Sequence, residues 1–187
     1  NSWQLKEACN HWPVFPYEFK SYPEALSDNG YYVGYTGKGW GPGFANDIRG
    51  NKRDITGKPW NRKKLVPPTT QISNVDYSAN FKDFLKNWDR KQPFCFWYGS
   101  LEPHRGYEFE SSRRFGKDTS QIDSVPSYWP DNEVVRRDML DYAVEIEHFD
   151  YHLGIILRAL EETGELDNTV VIVTSDHGMP FPRSEER

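Results

Sequence analysis

Apolar and polar positions alternate along this chain in blocks that change period. The stretch "SYPEALSDNG" (residues 21–30) sets Ser21 ahead of Pro23 in a first turn and closes on Gly30, the punctuation of a short helix. "YYVGYTG" (31–37) then reads as a strand running into the glycine-rich "GKGWGPG". Phe81, Phe84, Leu85 and Trp88 recur at i, i+3, i+4 and i+7, which predicts an amphipathic helix over "DYSANFKDFLKNW" (76–88). "PFCFWYGS" (93–100) predicts a buried strand, and "LEPHRGYEFE" leaves its end. The longest helical signal starts near Asp131, with Met139, Tyr142, Ala143, Ile146, Phe149, Leu153, Leu157 and Leu160 on one stripe and Gly164 as the stop. "NTVVIVTS" (168–175) predicts a last strand, apolar on both faces.

Strand, helix, strand, helix, strand in this order predicts an α/β fold with a largely parallel sheet flanked by helices. The whole of residues 1–187 is expected to form part of one domain, interrupted by long loops near 41–75 and 106–130. A chain of this length buries roughly 70% of its unfolded surface. Its mean hydropathy of −0.83 is low, so the seven Trp, 11 Tyr and 11 Phe carry much of that burial.

A formal charge of −5, with no basic block longer than "RKK" at 62–64, excludes nucleic acid as the main partner. No apolar run approaches the ~18 residues of a membrane span. Cys9 and Cys95 form neither a disulfide framework nor a zinc cluster, and Cys95 reads as a small buried hydrophobe.

In parallel sheets ligands sit beyond the carboxyl ends of the strands. Three polar stretches leave predicted strand ends: "TGKGW", "SLEPHRG" and "SDHG". Asp176 and His177 either cap a turn or supply a carboxylate and an imidazole to a hard cation and an anion beside it. Gly178 lets the backbone turn sharply there. Lys38 is either a solvated side chain or a clamp for an oxyanion. It is no phosphate-loop lysine, because Tyr32 and Gly39 stand where that motif needs Gly and Ser or Thr. His104, between Glu102 and Arg105, is either an exposed loop residue or a proton carrier. His148 and His152 have zinc-compatible spacing but fall away from the apolar stripe, so solvent exposure is expected. Asp150 lies at the stripe's edge and is read as a structural hydrogen-bond acceptor.

Together "GYYVGYTGKGW", "EPHRG" and "LDNTVVIVTSDHGMPFPR" resemble the sulfatases of the alkaline phosphatase superfamily. In "PHR" and "GMPFPR" the chain is most similar to the N-sulfoglucosamine sulfohydrolases and their bacterial relatives. The resemblance implies an alkaline-phosphatase-like fold and removal of sulfate from an N- or O-sulfated, glycosaminoglycan-type sugar. It implies Asp176 and His177 as ligands of a divalent cation, usually calcium. His177 also lies beside the substrate, Lys38 contacts sulfate or nucleophile, and His104 serves as sulfate ligand or proton donor. It further implies a periplasmic, secreted or lysosomal compartment.

The departures are specific. Trp40 stands where many sulfatases carry a histidine, and no "C-x-P-S-R" or "S-x-P-S-R" nucleophile motif occurs; Cys9 in "EACNHW" does not fit one. Arg183 and Arg187 are weak stand-ins for a further basic residue. These departures predict a segment of a longer enzyme, inactive alone, with its formylglycine nucleophile outside the segment. A phosphodiesterase or phosphonate hydrolase of the same superfamily, or a non-catalytic glycan-binding module, are the competing readings.

Overall fold

The computed structural model describes residues 12–176 and Gly178. Its described residues divide into two compact units. One runs through Lys64 and includes Val75–Ser100; the other holds Leu65–Asn74 and the residues from Leu101 onward.

In the first unit, β-branched and aromatic residues build the expected strands. β2 (Tyr32–Gly37) is the centre of a three-stranded parallel sheet, between β4 (Lys58–Pro59) and β5 (Phe94–Gly99). β2 and β5 run in register from Tyr32 beside Phe94 to Gly37 beside Gly99. A second parallel pair joins β1 (Val14–Phe15) to β3 (Phe44–Ala45). The predicted loop near 41–75 therefore contains two short strands, β3 and β4, which lack the apolar alternation that marks a strand by sequence.

α1 (Tyr22–Asp28) opens with a capping box: Ser21 accepts from the Glu24 amide, and Glu24 accepts from the Ser21 amide. Arg53 holds Glu24 through Nε at 2.9 Å and Nη2 at 2.7 Å. Burial opposes the Glu24 charge, but the Arg53 and Ser21 hydrogen bonds prevail and lower its pKa.

α2 (Tyr77–Asn87) follows the cap Asp76, which accepts from the Ala79 amide at 2.9 Å. Its apolar face is the predicted one: Tyr77, Phe81 and Phe84 are buried. Phe84 is the hub of an aromatic core, with ring centroids 4.7 Å from Tyr32 and from Phe96 and 5.8 Å from Trp60 and from Phe94. Such tilted and edge-on pairs add about 0.5–1.5 kcal/mol each beyond area burial. β5 is half-buried rather than buried, and burial raises the pKa of the Cys95 thiol.

In the second unit, the predicted long helix is α4 (Glu133–Glu162), capped by Asn132, with Gly164 at φ 75° ending it as a left-handed residue must. The predicted loop near 106–130 holds α3 (Ser111–Arg114) and a 3-10 turn at Thr119–Gln121. A second 3-10 turn, Leu166–Asn168, follows α4.

The burial of α4 departs from its apolar stripe. Ile146 is exposed and most of the stripe is half-buried, whereas Arg137, Asp141, Glu145 and His152 are buried. The buried face is mixed, with Leu140, Val144, Ile156 and Ala159 beside these polar residues, and its polar members satisfy the backbone of the preceding segment. Asp141 accepts from the Glu110 amide at 2.9 Å, the Ser112 amide at 2.8 Å and Ser111 Oγ at 3.3 Å. Arg137 Nη1 donates to the Lys117 carbonyl at 2.9 Å. Buried backbone groups need partners, and these side chains supply them.

Two expectations on this helix are thereby overturned. His152 is 1% exposed and His148 half-buried, their rings edge-on at 4.7 Å, where solvent exposure was expected. Asp150, expected at the core edge, is exposed. Both follow from the rotation of the buried face toward the Asp141 side.

The predicted strand at 168–175 is also corrected. Residues 169–175 make no strand among the described residues, and Val170 and Ile172 are 87% and 80% exposed. An apolar run becomes a strand only beside a neighbour that takes up its amides and carbonyls.

Candidate functional site

Lys38 stands at the carboxyl end of β2, the location a parallel sheet reserves for ligands. Its backbone is held on both sides: the Lys38 amide donates to the Gly99 carbonyl at 2.6 Å, and Trp97 Nε1 donates to the Lys38 carbonyl at 3.0 Å. One residue earlier, Asn61 closes a reciprocal pair with Gly37, accepting from its amide at 2.7 Å and donating to its carbonyl at 3.1 Å. Asn61 Oδ1 also accepts from Thr36 Oγ1 at 3.1 Å.

The strand ends come together so closely that side chains are forbidden. A Cβ on Gly37 would lie 2.0 Å from the Gly99 carbonyl oxygen, and one on Gly99 would lie 1.8 Å from that of Lys38. Gly37 also sits at φ 78°. The Lys38 side chain itself is exposed, so a flexible cation projects from a fixed backbone. Trp40, also exposed, packs edge-on against Phe15 at 5.5 Å.

His104 lies in the segment after β5, in the second unit. Its amide donates to the Leu101 carbonyl at 3.1 Å, which folds the "LEPH" run into a turn. Its Nδ1 lies 2.9 Å from the Arg105 carbonyl oxygen. A carbonyl only accepts, so Nδ1 carries the hydrogen of the neutral ring.

The neighbours on either side anchor this turn. Glu102, 6% exposed, accepts from the Ser73 amide at 2.7 Å. Arg105 Nη1 donates to Asp138 Oδ2 on α4 at 2.6 Å, and its guanidinium lies over the Tyr107 ring at 5.0 Å. Burial disfavours the Arg105 charge, but the hydrogen bond and charge of Asp138, together with Tyr107, outweigh it and raise the pKa. Burial likewise pushes the Tyr107 phenol far up.

Behind the turn lies Glu145, 3% exposed, whose Oε1 has no hydrogen-bond partner among the described residues. Burial, with repulsion from Glu102 second, pushes its pKa up to about 7.

Asp176 ends the exposed segment after α4, and His177 lies outside the described residues, as do Cys9, Arg183 and Arg187. Calcium takes six to eight oxygen ligands. No three or more His, Cys, Asp or Glu side chains gather to hold a metal ion among the described residues. The described residues therefore do not by themselves complete a cation site.

Sequence reading singled out Lys38 and His104 as candidates and did not single out their neighbours Asn61, Asp138 and Glu145. Asn61 follows a short strand that the sequence does not mark. Asp138 and Glu145 read by spacing as part of a solvated helix face.

Comparison with known proteins agrees with the motifs. The chain is 35% identical over 89 residues to the ulvan-active sulfatase of Formosa agariphila, covering 47% of this chain and 15% of that protein. It is 24% identical over 145 residues to an arylsulfatase of Clostridium perfringens, covering 65% and 28%. It is 36% identical over 58 residues to human N-sulphoglucosamine sulphohydrolase, covering 31% and 12%. The matched stretches thus span between about an eighth and a quarter of these relatives. No solved structure matches. Among the described residues, no helix is long and apolar enough to cross a membrane. The family model for sulfatases matches residues 4–185, nearly the full length, and this chain belongs to the sulfatase family.

Proposed function

We propose that the full-length protein hydrolyses sulfate from a sulfated sugar, with an amino-sugar N- or O-sulfate as substrate. The observation that carries this reading is Lys38: an exposed cation at the carboxyl end of a parallel strand, on a backbone fixed by Gly99, Trp97 and Asn61. A sulfo group bears its negative charge on oxygens, and an ammonium carried on that fixed backbone stabilises the charge as the bond to sulfur breaks. His104, with Nδ1–H directed at the Arg105 carbonyl, donates to the departing nitrogen or oxygen from Nε2 when the ring carries its second proton there, and returns to the neutral Nδ1–H form.

Asp176 and His177 belong in this reading to a divalent-cation site, calcium by family resemblance. The remaining oxygen donors and the formylglycine nucleophile come from elsewhere in the enzyme. The cation would contribute Lewis-acid stabilisation of the sulfate oxygens. Residues 1–187 are one part of the catalytic domain and show no turnover alone. The compartment is periplasmic, secreted or lysosomal.

The test uses full-length enzyme with N-sulfated and O-sulfated glucosamine, following free sulfate by ion chromatography. Sulfate release is expected, with kcat/KM reduced about 10²–10³-fold in Lys38→Ala. Turnover of a phosphodiester with no sulfate release would overturn the reading in favour of the phosphodiesterase alternative.

A further inference from the structure

We propose that Asp138 on α4 is a positioning residue for His104, acting through Arg105. The inference rests on the reading of His104 as the proton carrier and adds what holds it in one tautomer.

The chain of contacts is short and lies within one unit. Asp138 Oδ2 accepts from Arg105 Nη1 at 2.6 Å. The Arg105 guanidinium is flanked by the Tyr107 ring at 5.0 Å, and Tyr107 in turn packs against Tyr142 of α4 at 5.7 Å. The side chain of Arg105 is thus tied to the helix by an ion pair and an aromatic stack, and only its backbone reaches back to the histidine. The Arg105 carbonyl lies 2.9 Å from His104 Nδ1.

A neutral imidazole has two tautomers, and the partner of one nitrogen decides where the hydrogen sits. With the Arg105 carbonyl fixed beside Nδ1, the Nδ1–H form of the neutral ring is selected. Nε2 can then accept a proton from solvent and deliver it to the leaving nitrogen or oxygen, returning to the same neutral form. If the Arg105 peptide plane rotates, its carbonyl leaves Nδ1 and both tautomers become populated.

On the other side of the turn, the Glu102–Ser73 contact fixes the backbone before His104. The turn is therefore anchored at both ends, and Asp138 is the anchor on the side of the reacting ring. An exposed ion pair would matter little to stability. Asp138 and Arg105 are only about a third exposed, at 30% and 29% of their side chains, and the geometry they hold serves orientation.

The experiment compares full-length wild-type enzyme with Asp138→Asn, Asp138→Ala, Arg105→Lys and His104→Gln. N-sulfoglucosamine is the substrate, and imidazole ¹⁵N spectra are assigned by difference with His104→Gln. Asp138→Ala is expected to lower kcat about 10–100-fold with KM changed less than about twofold. The His104 ¹⁵N shifts should move from a pure Nδ1–H pattern toward a mixture, with Asp138→Asn intermediate in both. Unchanged kcat and unchanged ¹⁵N shifts in Asp138→Ala overturn the proposal, as does an equal loss in KM and kcat with the tautomer intact.

Should Asp138→Ala fail to fold, Arg105→Lys keeps the charge but removes the fork, and the same two readouts decide. Full activity in His104→Gln would instead overturn the reading of His104 as proton carrier. The ¹⁵N pattern would still report whether Asp138 sets the tautomer.

Discussion

Lys38 and His104 are held in place by opposite means. Around Lys38 the work is done by backbone and aromatic packing: two glycines in near contact, the Asn61 pair and the rings around Phe84. Around His104 it is done by polar side chains: Glu102 on the Ser73 amide, Asp138 on Arg105, and Asp141 on the amides that start α3. The first arrangement relies on apolar packing and backbone contacts rather than on charge. The second takes charged groups out of water and makes their ionisation part of the fold.

The contrast can be broken most forcefully at Phe84, which is fully buried at the centre of the aromatic core. Phe84→Ala should cost about 3–5 kcal/mol in chemical denaturation. A loss below ~1 kcal/mol would mean that packing does not hold the first unit.

Gly99→Ala comes next, at about 3 kcal/mol, because its methyl would meet the Lys38 carbonyl. Here the strand ends must separate, and the amide of Lys38 should lose its protection against hydrogen exchange.

The pH arm of the contrast rests on Glu145. Its folded pKa of about 7 lies above the ordinary 4.5, so the native state binds more protons between those values. Stability is then fully present below about pH 4.5, declines as pH rises to about 7 and is level above, a change of about 3 kcal/mol. Glu145→Gln keeps a neutral side chain and should flatten this slope in urea titrations across pH. A slope that persists in the variant assigns it to another group.

Smaller effects sharpen the picture. Asn61→Ala leaves the Gly37 amide and carbonyl without their partner and should cost about 1–2 kcal/mol by denaturant midpoint. Ile172→Ser, on the exposed segment after α4, should change the stability of this chain by less than about 0.5 kcal/mol. A large loss there would reveal a partner for the segment.

Much of the first unit was readable from the residues. Ser21 with Pro23, the spacing of Phe81, Phe84, Leu85 and Trp88, and the aromatic strands each point to their element locally, and packing agrees with them. The second unit was less readable because its decisive contacts are long-range. The spacing of Met139, Tyr142 and Ile146 identifies a helix but not which face goes inward, since that depends on the amides of residues 110 and 112 seeking Asp141. The run Val170–Val173 has strand propensity, but propensity becomes structure only beside a partner, and among the described residues it finds none. At the site, Lys38 and His104 were legible as residues that carry chemistry. Asn61, which bonds the Gly37 backbone, and Asp138, which bonds Arg105, were not, because such contacts leave no motif.

The hydrogen-only positions at 37 and 99 separate scaffold from reagent. Since the backbone of residue 38 is held through its own amide and carbonyl, position 38 accepts side chains other than proline, which lacks the amide hydrogen that Gly99 receives. A saturation library at that single codon, proline set aside, would therefore report chiefly on reactivity rather than on folding.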